Sequence, residues 1–155
     1  MSTAPRSKVK TLSGKQVHAR VVRRIKKYDN LSFLERFALF IGKAQLLEAA
    51  LKQLLVTRYG CPEGKTERWS LGRTICELKT HGLRPDFIKL LEELNKYRNY
   101  AAHDLLADHA FMTKVVRSVA DRESAKWLSR SLYTVEQTVV VYDFLARNEF
   151  FDAEA

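Results

Sequence analysis

Three residues late in one helical-looking stretch carry the clearest chemistry in this chain: Arg98, Asn99 and His103. They lie in the run from Pro85 to Leu106. At about 100° per residue, Phe87, Leu90, Leu91, Leu94 and Ala101 fall on one stripe, and Arg98 lands near its centre. A guanidinium does not shed its proton, so where it is buried it must be paired or hydrogen-bonded. Its planar fork of donors matches a phosphate, and an imidazole carries a proton near neutral pH. Asn99 and His103 are four positions apart and share a face, so the amide can orient the imidazole or donate to phosphate. On an ideal wheel His103 sits about 140° from Arg98, so a joint site needs a distorted helix end or a second subunit. The alternative roles are structural: an ion pair of Arg98 with Glu48 or Glu93, and a histidine whose charge favours a helix C-terminus. Tyr97 and Tyr100 could stack on a base, fill an interface or pack in the core.

These residues need a rigid frame, and the flanking sequence provides helices for one. Ser32 with Glu35 three positions on reads as a capping box. Behind it Phe33, Phe37, Phe40, Ala44, Leu47, Leu51 and Leu54 recur at 4-3-4-3 spacing, a seam for packing along another helix, which should end near Tyr59 before Gly60. Residues 60–68 read as a polar loop. Ser70 caps a short helix with Leu71, Ile75 and Leu78, closed by His81-Gly82, and Pro85 suits the first turn of the motif helix. Phe111, Val115, Val116 and Val119 suggest a further helix within 105–121. Ser124 is expected to open a last long helix carrying Leu128, Leu132, Val135, Val139, Tyr142 and Ala146. No alternating segment predicts a strand. The fold class is therefore all-α, an antiparallel helical bundle. Phe37, Phe40, Leu47, Leu51, Leu94, Leu128, Leu132, Val135 and Val139 are expected to share one core.

The pattern of Arg98, Asn99 and His103, late in a helix and preceded by the Ser70–Arg73 segment, resembles the HEPN superfamily over residues 31 to 149. The resemblance implies an all-α fold, usually dimeric. It also implies either a metal-independent endoribonuclease of toxin or defence type, or a non-catalytic RNA-binding or regulatory module. In the first case Arg98, Asn99 and His103 are the catalytic set, the products end in 2′,3′-cyclic phosphates, and an antitoxin or regulatory protein is a possible partner. Cleavage without metal needs one base and one acid, and one histidine per chain supplies one such group. A two-fold homodimer brings two histidines, plus two arginines for the transition-state charge.

The formal net charge of the 155 residues is +9, and it is concentrated. Residues 1–30 hold nine basic residues and one acid, whereas residues 31–155 hold 18 basic and 17 acidic. A basic N-terminal arm (1–30) thus precedes a nearly neutral helical domain (31–155). The arm is expected to be disordered over 1–13 and to form a short helix over 15–28, with Val17, Val21 and Ile25 on a narrow apolar face that could dock on the body or fold on a partner. Lys8, Lys10, Lys15, Arg20, Arg23, Arg24, Lys26 and Lys27 are the candidate contacts to RNA, or to DNA. With Tyr28 as the arm's one aromatic, base stacking there is unsupported.

The chain lacks a phosphate-binding G-x-x-x-x-G-K-[ST] loop, a G-x-G-x-x-G turn, H-E-x-x-H and C-x-x-C. No metal and no cofactor is expected: His103 and His109 diverge on a helix, with Asp104 and Asp108 read as solvated or paired with the basic arm, and Trp69 and Trp127 as packing residues. Cys61 and Cys76 lack a C-x-x-C spacing, and both read as reduced thiols with neither a disulfide nor metal ligation expected. With no apolar run for a membrane span or a leader, the expectation is a cytoplasmic protein without membrane partners.

Overall fold

The structure is a computed structural model and describes residues 11–153; Lys8 and Lys10 lie outside them. Seven α-helices follow in order: α1 (Gly14–Ile25), α2 (Phe33–Thr57), α3 (Glu63–Thr66), α4 (Leu71–Thr80), α5 (Pro85–His103), α6 (Leu105–Val115) and α7 (Arg117–Asn148). A 3-10 turn at Lys26–Tyr28 continues α1. Among the described residues there is no strand, only a single antiparallel bridge between Leu83 and Asp152. The all-α bundle expected from the spacing is therefore the fold.

Helix α2 starts where its cap predicts. The Ser32 N–H donates to Glu35 Oε2 (2.7 Å) and the Glu35 N–H to Ser32 Oγ (3.2 Å). Its seam from Phe40 through Ala44, Leu47 and Leu51 to Leu54 is buried. The first two seam positions are not: Phe37 is half-buried and Phe33 stacks on His109 of α6, with ring centroids 4.5 Å apart. Gly60 and Gly82 follow α2 and α4 with φ of 70° and 88°, the left-handed exit that a residue without Cβ takes at no steric cost.

Two expectations need correction. Residues 60–68 contain the helical turn α3, with Thr66 buried. More consequentially, α7 begins at Arg117, so Ser124 is not a cap. It is buried in the third turn, its Oγ 2.8 Å from His109 Nδ1. The chain reverses through the single extended residue Val116 (φ −146°, ψ 99°), and the first turns of α7 pack on α6 through Ala120 and Ser124. Small residues can seat a helix closely without leaving an apolar periodicity to read. Along the rest of α7, Leu128, Leu132 and Val135 are buried as expected, Val139 is half-buried, and Leu145 takes the core position expected for Ala146, which is exposed.

Helix α7 is the central member, touching α1, α2, α5 and α6. Helix α1 is not a free arm. Ser13 and Gln16 form a second capping box, and Val17 and Val21 bury against Val140 of α7. The junction is locked by Glu136, whose side chain is 0% exposed. Its Oε1 accepts from Tyr28 OH (2.5 Å) and pairs with Lys43 Nζ (2.6 Å), while Arg24 Nε approaches Oε2 at 3.2 Å, off the hydrogen-bonding direction. Burial, reinforced by the hydrogen bond to Glu136, raises the Tyr28 pKa. Burial opposes the charge on Lys43, but the contacts with Glu136 and Tyr28 outweigh it and hold that pKa above the usual lysine range.

The burial is lopsided: Lys43 and Arg24 retain 24% and 38% side-chain exposure. Water can solvate either cation once the acid is gone, but it cannot reach the acid. Lys43→Met should therefore cost about 3–5 kcal/mol, the range for a stranded buried charge. Glu136→Gln, which keeps an acceptor for Tyr28, should cost only about 1–2 kcal/mol. Urea unfolding checks this order.

Candidate nucleic-acid interface

Arg98 is placed by α5, which packs on α2, α4 and α7 through Phe87, Ile88, Leu91, Leu94 and Ala101. As the stripe position requires, its guanidinium turns inward and ends half-buried, 4.0 Å from Glu48 Oε2 on α2. Glu48 also pairs with Lys52 (2.8 Å). Arg98 lines a cleft of about 370 Å³ between α2 and α3. That cleft sets Glu48, Glu63 and Glu67 against Lys52 and Arg98, three carboxylates against two cations, so on its own it does not concentrate phosphate.

Asn99 and His103 are exposed at the end of the same helix and are not among the residues of that cleft. One chain thus does not join Arg98 to His103, as the wheel angle indicates. Tyr97 and Tyr100 turn to the opposite flank and pack on Trp127 of α7, with centroids 5.6 and 5.0 Å away. The Tyr100 hydroxyl donates to Asp108 Oδ2 (2.7 Å). Trp127 also takes the edge of Phe40, so both tyrosines are engaged in packing within the chain. Asp108 accepts this hydrogen bond while remaining exposed, as expected, and Asp104 is exposed where α5 gives way to α6.

Helix α1 presents a different surface. Lys15, Arg20 and Arg23 are exposed, as are Lys26 and Lys27 in the following turn. Arg20, Arg23 and Arg24 line one side of a groove of about 530 Å³, and α7 supplies Arg147 to the same groove with Asp143 as the one acid. Arg24 is partly committed to Glu136, which removes it from the freely available set. Sequence reading missed Arg147, because nothing local links it to the arm; only docking of α1 along α7 brings it there.

Both cysteines are free thiols, as expected. Cys76 is exposed, but Cys61 is buried and its Sγ lies 3.4 Å from His81 Nε2. The partner histidine is 20 positions away in sequence, beyond the local window in which a pairing shows. No family model matches the chain, and no curated protein or solved structure matches it either.

The Tyr100–Asp108 pair gives a pH test. Burial, the hydrogen bond to Asp108 and that residue's charge push the Tyr100 pKa up to about 12. A phenol whose folded pKa is raised contributes stability in full below its unfolded value near 10, and that stability drains as pH rises towards 12. In an ultraviolet alkaline titration, Tyr100→Phe should remove one phenol from the latest-ionising group, and it should flatten the loss of stability above pH 10.

Proposed function

We propose that this chain is an RNA-binding protein of HEPN-like type. The observation that carries the reading is the arginine-lined groove between α1 and α7, flanked by the exposed cations of α1. A strip of cations on a docked helix meets a polyphosphate backbone without ordering cost and releases condensed counter-ions on binding. The groove has no aromatic platform apart from the half-buried Phe144, which favours backbone contact over base readout.

Cleavage, on this proposal, belongs to a homodimer. His103 stands exposed at the end of α5, and α6, which follows it, exposes Leu106, Phe111 and Val115, an apolar surface suited to a second copy. Across a two-fold axis one His103 takes the 2′-hydroxyl proton and the other protonates the leaving 5′-oxygen. Arg98 stabilises the phosphorus charge once phosphate displaces Glu48. A second reading, a non-catalytic interaction or regulatory module, is favoured by the acid excess around Arg98 and its pairing with Glu48.

Two measurements test these readings. Arg20→Ala with Arg23→Ala should lower the slope of log affinity against log salt for single-stranded RNA by roughly 1.4, at about 0.7 per lost phosphate contact; an unchanged slope rejects the groove. Purified protein incubated with RNA in EDTA should yield 2′,3′-cyclic phosphate ends that vanish in His103→Ala while binding persists. No product from the wild type, together with a lower melting temperature in Arg98→Ala, selects the non-catalytic module.

A further inference from the structure

We propose that Cys61, Glu77 and His81 form a zinc site, completed by a water molecule as fourth ligand. This site is independent of the nucleic-acid reading. Cys61 is carried by the turn after α2, Glu77 lies in the last turns of α4, and His81 caps that helix. Glu77 and His81 are four positions apart and share one face, and the close of α2 holds the thiol against it. Cys61 Sγ is 3.4 Å from His81 Nε2, and His81 Nε2 is 3.6 Å from Glu77 Oε1. Tetrahedral zinc, from its ordinary bond lengths, sets sulfur and nitrogen roughly 3.6 Å apart and nitrogen and oxygen roughly 3.4 Å apart. The three atoms all lie within 4.8 Å of one another. Closing the remaining edge asks for at most about 1 Å of side-chain adjustment, and Glu77 and His81 both lie partly in solvent, where they can move.

The donors match the metal. Thiolate, imidazole and carboxylate are zinc's usual ligands, and three of them leave one position for water. A borderline-soft ion prefers this set to magnesium or calcium, which take oxygen. The surroundings also orient the ligands. The other carboxylate oxygen of Glu77 is 3.4 Å from the Arg73 guanidinium, and the Tyr59 ring stacks on His81 with centroids 5.2 Å apart. Such outer contacts fix ligand rotamers and tune affinity. Burial and the charge of Glu77 raise the Cys61 pKa. Zinc binding must therefore expel the thiol proton, and affinity falls as pH is lowered.

The test uses the full chain, reduced, stripped with a chelator and freed of it. Zinc titrated against a chromogenic competitor should bind one ion per chain and raise the melting temperature. Cobalt should give a thiolate charge-transfer band. Cys61 sits in the core, so Cys61→Ser could fail to fold; the decisive variants are Glu77→Gln and His81→Asn on the outer side. Each should weaken zinc by ~100-fold or more, and Arg73→Ala by roughly tenfold. Cys76→Ser should bind like wild type. Sub-stoichiometric zinc, loss of binding in Cys76→Ser, wild-type affinity in both Glu77→Gln and His81→Asn, or a cobalt complex without the thiolate band would each overturn the site.

Discussion

A single carboxylate that no water reaches organises this bundle. Glu136 sits in the middle of α7 with Tyr28 and Lys43 on one oxygen and Arg24 beside the other. Burying a charge is unfavourable unless its partners are in place, so the network acts as a condition on the fold as well as a bond within it. The condition is met only when the end of α1, the middle of α2 and the middle of α7 arrive together. Apolar seams alone would let α1 slide along α7, because Val17 and Val21 offer a short, narrow contact. The polar lock selects one register. It also sets Arg20 and Arg23 beside Arg147, so the candidate nucleic-acid groove is a consequence of where Glu136 finds its partners.

Apolar periodicity made most of the frame legible. The capping box at Ser32, the seam of α2 from Phe40 onward, Pro85 at the head of α5 and the glycine exits all carry local signals, and each stands where it was read. The failures share a cause. The start of α7 is polar and packs through Ala120 and Ser124, so there was no stripe to count. The thiol and its histidine, and Arg147 and its groove, are assembled by tertiary contact between positions that local windows do not connect. Glu136 was invisible for the same reason: a lone glutamate in a helical run reads as surface until its three partners converge.

Arg98 shows how far a wheel argument reaches. The stripe places the guanidinium inward, against α2, and there it is, next to Glu48. The same geometry turns His103 away to solvent. On a straight helix Arg98 and His103 point in two directions, and a site that uses both needs a distorted helix end or a second subunit.

Helix α7 contacts α1, α2, α5 and α6, so the bundle is incomplete without it. On the ribosome α1 to α6 are made before α7, so the faces that α1, α2, α5 and α6 turn towards it remain uncovered until it is made. Pairings between positions as distant as Val17 and Val140 carry a loop-closure cost that local helix contacts do not offset. Completion of the fold is thus tied to synthesis of its final helix, and a nascent chain stalled before α7 is an exposed hydrophobic surface of the kind chaperones engage.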